Sequence, residues 1–300
     1  MALSPRAAAK RDWKAHDMVR RRIAPQPTSK LAIWARRIAL FSLAATLVAV
    51  IVVRSGALDI VPALSTLAGG LALAIVAILL AFGAGIIIWR EGIGGVREAI
   101  TALLIGVALI AYPLYLGAKA YRLPAIYDVT TDPIDPPRFE VIARLRPRDA
   151  HPVTYAGLYA AEQQRASYSD IEPDLTDSSP QEAYEAALKV ITKRKWAIVD
   201  ARPPLGAGGR EGHIEAIAHT LILGFRDDVA VRVRATPDGS RIDIRSASRY
   251  GRSDLGANAA RVRDLISDID DVLAAPQPEK KEAPPPKPTH AAGKGGPAKR

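Results

Sequence analysis

The sequence predicts a membrane-anchored α+β protein: three transmembrane helices, then an antiparallel β-sheet domain covered by two helices. Three observations predict it. Long apolar runs fill the stretch 31–121, parted by short connections. Between Trp196 and Ser246, apolar and polar residues alternate in segments punctuated by turn signals. Apolar residues at helical spacing flank that stretch on both sides, from Ala183 to Ile191 and from Leu255 to Ile269.

The formal charge of +10 does not describe the folded part. Residues 1–37 hold ten Lys/Arg against two Asp/Glu, and residues 276–300 hold six against two. The remaining residues hold 25 basic against 27 acidic groups. Basicity therefore lies in two tails, 1–30 and 276–300, both read as disordered. A near-neutral middle argues against a broad nucleic-acid footprint, and no nucleic acid is expected as a partner. The chain has no cysteine, which excludes disulfides, thiolate metal sites and cysteine nucleophiles. Its five histidines show no metal-binding spacing, and neither a metal nor a cofactor is expected.

The anchor occupies 31–121, with spans at about 33–53, 64–89 and 99–118. Trp34 suits the interface, and Arg36 and Arg37 can reach the headgroups. Gly69-Gly70, Gly83 and Gly85 offer surfaces for close helix approach. No charged residue lies in the centre of a span, which argues against an ion pump. Residues 1–37 hold ten Lys/Arg, whereas the first connection holds only Arg54. The positive-inside rule then puts the N-terminus in the cytoplasm and everything after about Lys119 on the far side. In a bacterium this is an inner-membrane protein with a periplasmic domain.

That domain is expected over 122–275, including an extended N-terminal linker. Prolines punctuate 123–180, and its aromatics (Tyr127, Phe139, Tyr155, Tyr159, Tyr168) suit a segment lying on another surface. Asp128, Asp132 and Asp135 read as turn carboxylates. Ser179-Pro180-Gln181-Glu182 is a helix start with a capping box. Strands follow at Trp196–Asp200, Gly212–Leu223, Val229–Ala235 and from Arg241 to Ser246, with Asp227-Asp228 as one turn and Pro237-Asp238-Gly239 as a hairpin. Arg232, Arg234, Arg241 and Asp243 share one sheet face as cross-strand ion pairs.

Polar groups are densest where the last strand gives way to the closing helix. Arg245, Ser246, Ser248, Arg249, Arg252, Ser253 and Asn258 form a candidate anion site, with the arginines converging on a helix start. Ser253 is the expected N-cap of that helix and Asp254 its first-turn acid. The alternative is an internal network in which Asp254 and Asp228 already satisfy the arginines. Ser246, Ser248 or Ser253 with His213 or His219 would make a hydrolase, although no nucleophile elbow is present. A scaffold acting through its membrane helices is the third reading.

Three elements carry a resemblance: TTDPIDPP from Thr130, FRDDVAVRVR from Phe225, and DIRSASRYGRSDLGAN from Asp243. With their surroundings, roughly 124–273, they resemble the domain-of-unknown-function family 1499. The resemblance implies a bacterial envelope-type protein and supplies no catalytic residue. It also implies that 127–139 belongs with the globular domain. The expected partners are the lipid bilayer and an anionic envelope ligand or partner protein.

Overall fold

The computed structural model describes residues 27–56, 58–205 and 210–275. The two tails expected from the sequence, and the Pro203–Gly209 breaker beyond Leu205, lie outside these residues. The chain divides into two units, one holding residues 1–49 and 58–112, the other 50–57 and 113–300.

The anchor helices are α1 (Lys30–Ser55), α2 (Ile60–Glu91) and α3 (Val96–Arg122). All three are long and apolar enough to cross a bilayer. Each outruns its expected span, which adds Lys30 and Arg54 to α1, Arg90 and Glu91 to α2, and Arg97, Glu98, Lys119 and Arg122 to α3. Small residues form the seams: Ala35, Ala39, Ala77, Ala81 and Ala102 are buried together. In lipid there is no hydrophobic drive between helices, so close backbone approach and polar contacts do the work. A Cβ on Gly70 would stand 2.7 Å from Thr46 Oγ1, and one on Gly106 2.5 Å from Ile78 Cγ1. Ser42 Oγ donates to the Gly70 carbonyl at 2.8 Å. Gly69 and Gly85, by contrast, have open space where a Cβ would be.

In the second unit the order is β1 (Asp128–Thr130), α4 (Ile142–Leu145), α5 (Gly157–Ser167), β2 (Asp174–Thr176), α6 (Pro180–Lys193), β3 (Ala197–Arg202), β4 (Gly212–His219), β5 (Arg226–Thr236), β6 (Gly239–Ser248) and α7 (Ala257–Ala274). The sheet is antiparallel, ordered β1-β6-β5-β4-β3, with β2 also on β6. The expected linker therefore supplies two short edge strands and two helices. Its prolines confine the pairing to three residues at a time, which covers the free edge of β6.

Alternation sorts the sheet into two faces. Ile214, Ala216, Val229, Val231, Val233, Ile242 and Ile244 point inward against Ala187, Val190 and Ile191 of α6 and Val262, Leu265 and Ile269 of α7. Each buried Val, Leu or Ile side chain contributes about 1.5–3 kcal/mol. Helix α6 begins with the expected capping box: Ser179 Oγ accepts from the Glu182 N–H, and the Glu182 carboxylate accepts from the Ser179 N–H. The hairpin between β5 and β6 turns at Pro237-Asp238, and a Cβ at Gly239 would run into the Thr176 carbonyl.

Three expectations need correction. Strand β4 ends at His219, so Leu221 and Ile222 sit in an exposed turn instead of extending the strand. Asp227 and Asp228 are not at a turn but inside β5, buried, where arginines can neutralise them. The closing helix starts at Ala257 with Gly256 as N-cap in the left-handed region, not at Ser253.

Candidate functional site

Strand β6 carries most of the candidate set, and its alternation splits that set across the sheet. Arg245 and Arg249 lie on the face away from α6 and α7; Ser246 and Ser248 lie on the face toward them. Arg245 and Arg249 therefore do not converge on the start of α7.

On the outer face, Arg245 grips Asp128 in a two-pronged pair, Nε to Oδ1 at 3.0 Å and Nη2 to Oδ2 at 2.6 Å. It also donates to the Pro137 and Val153 carbonyls and lies 4.5 Å over the Phe139 ring. Arg249 donates to Asp228 Oδ1 at 2.7 Å, and Arg146 donates to Asp228 Oδ2 at 2.6 Å. All of these ionic groups are buried. Burial pushes the Asp128 carboxyl up, against the pull of Arg245. Burial and the Asp128 charge push the neighbouring Tyr155 hydroxyl up to about 12.

On the inner face, Ser246 Oγ donates to Asn258 Oδ1 at 2.8 Å, and Asn258 Nδ2 donates to Ser248 Oγ at 3.0 Å and to the Tyr127 carbonyl at 2.9 Å. Arg261 bridges Ser246, Asn258 and Asp227. Ser253 Oγ donates to the Pro124 carbonyl and accepts from the Leu255 N–H. Asp254, not Ser253, serves the helix start: its oxygens accept from the Gly256 and Asn258 N–H groups. Arg252 is exposed, and no salt bridge among the described residues includes it.

The rest of the outer face carries two further clusters. Asp243 receives Arg232, Arg234 and Arg241, as the cross-strand reading expects. Asp132 and Asp135 reach down from the segment after β1 to the same arginines, so these carboxylates are partners of the sheet. Farther along, Glu215 is wholly buried. Its oxygens accept the N–H groups of Glu140, Val141 and Ile142 at 2.7–3.0 Å and face His213 Nε2 at 3.1 Å. Burial alone would raise its pKa; the His213 hydrogen bond and the three amides outweigh that and lower it.

Asp200, His213 and Glu215 bring one ligand atom each within 4.8 Å of one another, a donor set that could hold a metal ion. Both Glu215 oxygens already accept backbone amides, and Asp200 accepts from Arg202 at 2.8 Å. A metal would have to displace that order.

The register also bears on nucleophilic chemistry. His213 and His219 point to the outer face, Ser246 and Ser248 to the inner one, so the sheet separates both histidines from both serines. Burial, with Arg226 and Arg249 nearby, lowers the pKa of His219.

Sequence reading missed Arg146, Glu215 and Arg261. Each is a charged residue whose partner is distant in sequence. For Glu215 the signal was present: a lone acid on a strand whose other face is wholly apolar.

Residues 128–269 match the model of the family described as "Protein of unknown function (DUF1499)". The match spans the sheet domain and leaves the three membrane helices outside. No curated protein matches the chain.

Proposed function

We propose that this protein, whose sheet domain matches the DUF1499 family model, is an integral protein of the bacterial inner membrane, with its N-terminus cytoplasmic. The sheet domain stands in the periplasm as a binding or structural module for an anionic envelope component or a partner protein. The positive charge of the first flank and three apolar helices support that orientation. The observation that carries the binding reading is a division of labour among arginines. Arg245 and Arg249 are consumed inside by Asp128 and Asp228. Arg252, just past the end of β6, and Arg226, at the start of β5, are exposed at the same end of the sheet. The inner hydrogen bonds of Ser246, Ser248, Asn258 and Arg261 tie that end of β6 to α7. The candidate anion site thus narrows to Arg252, with Arg226 joining it.

Two experiments test this reading. Ser178→Cys in the otherwise cysteine-free chain is expected to react with a membrane-impermeant maleimide in intact spheroplasts; protection would invert the topology. The full chain, extracted in mild detergent and measured by native mass spectrometry, is expected to retain an anionic mass that Arg252→Glu with Arg226→Glu loses. The same retained mass on both proteins, or none on either, would sink the anion reading.

A further inference from the structure

The turn between β4 and β5 departs from the polar patterning of most turns. It reads Thr220-Leu221-Ile222-Leu223-Gly224-Phe225. Leu221 is 88% exposed and Ile222 41%. Internal order holds the turn in shape: the Phe225 N–H donates to Thr220 Oγ1 at 2.9 Å, and the Gly224 N–H to the Thr220 carbonyl at 3.1 Å. Two large aliphatic side chains are thus presented to the outside on a fixed hairpin.

The register says which way the hairpin points. Asp128 of β1 pairs with Ala247, and Ala247 pairs with Asp228 of β5. Strands β1 and β5 run in the same direction, so the chain arriving from α3 enters the sheet from the end where the β4–β5 turn projects. Laterally the two are separated by β6 alone, roughly 10 Å. Only residues 123–127 lie between the end of α3 and β1, a reach of about 20 Å at most. Those residues are pinned to the domain, because the Ser248 and Asp254 N–H groups donate to the Tyr127 and Ile126 carbonyls. Within the same unit, Arg54 in the last turn of α1 donates to the Leu221 carbonyl at 2.5 Å. Basic Arg226 and Arg252 ring this end of the sheet.

We propose that the β4–β5 turn is a membrane-surface anchor: Leu221 and Ile222 insert at the headgroup–acyl boundary of the phospholipid bilayer that holds the three helices. Arg54, Arg226 and Arg252 face the phosphates around them. An apolar tip with a basic collar has the chemistry of an interfacial lipid contact. The contact holds the arginine-rich end of the sheet at the lipid surface. This deepens the anion reading by making lipid phosphate the nearest anion, and it stands on the apolar tip independently of any retained ligand.

The test uses the full chain in nanodiscs of phosphatidylethanolamine and phosphatidylglycerol. The natural absence of cysteine allows a single environment-sensitive fluorophore at Leu221→Cys. Ile134→Cys and Leu175→Cys are controls, since both side chains are exposed on the domain and Leu175 pairs near the opposite end of β6. The Leu221 label is expected to emit blue-shifted light and to be quenched several-fold more by nitroxide-labelled lipid than either control. Equal quenching at all three positions, or water-like emission at Leu221, overturns the proposal. Either result leaves the retained-mass experiment free to succeed or fail by itself.

Discussion

The two faces of one sheet are buried by opposite means. The inner face meets α6 and α7 with aliphatic side chains, and burial of apolar surface holds it. The outer face meets the 131–155 segment with arginines and carboxylates, and Phe139 and Ile142 form only a small apolar island there. A non-directional force accepts many packings; a buried ion pair accepts one geometry. The inner cover can therefore be a pair of helices with interchangeable aliphatic residues. The outer cover has to place Asp128, Asp132 and Asp135 over particular guanidinium groups. Burying those charges is costly, and their pairing mainly offsets the cost. The lesson is that the outer face defines where the segment lies, while the inner face supplies most of the stability.

Substitutions can break or sharpen that contrast. The largest effect is expected from Asp228→Ala, which strands both Arg146 and Arg249 in the interior and should cost about 3–5 kcal/mol in urea unfolding of the full chain in detergent. Ile244→Ala on the inner face should cost about 2–5 kcal/mol by leaving a cavity. If Asp228→Ala proved nearly neutral while Ile244→Ala did not, the outer ion pairs would be ornamental.

The contrast is sharpened by replacing a whole pair. Asp128→Leu alone leaves Arg245 uncompensated; adding Arg245→Met should recover much of the loss, with a coupling of about 1 kcal/mol or more in a double-mutant cycle. Additive losses would mean that each residue acts through other contacts. At the surface, Ser179→Ala removes the capping box of α6 and should cost about 1 kcal/mol by the same urea measurement.

A pH effect probes the seam between β2 and α7. Burial and the neighbouring Asp270 raise Asp174 to about 6. The folded chain therefore keeps a proton that the unfolded chain releases near pH 4. Stability from this group is fully present below pH 4 and is lost as pH rises through about 6. Asp174→Asn should flatten that slope and raise the melting temperature at pH 7.5; an unchanged slope would remove Asp174 as its source.

Much of this was legible in order along the chain. The apolar runs, the Ser179 capping box, the Pro237-Asp238-Gly239 hairpin and the alternation of β5 and β6 are local signals, set by helix and strand periods. The same alternation already implied that Arg245 and Ser246 face apart, yet clustering in sequence suggested one site. The charge on Arg232, Arg234, Arg241 and Asp243 was readable as cross-strand pairing because hairpin register follows from the turn.

What only the tertiary structure decided was the pairing of charges far apart in sequence. Composition cannot tell whether an arginine is answered by a carboxylate of the same turn or by one more than a hundred residues away, as Arg245 is by Asp128. Nor could the apolar run after His219 reveal that its strand ends there. Strand and exposed turn share that hydrophobicity, and only the partner strand, which has no residue opposite Leu221, separates them. Sequence determined which segments could span a membrane, fold as helices or alternate as strands, because those depend on neighbours along the chain. The fold decided which charges are spent inside and which groups remain at the surface, because that depends on neighbours in space.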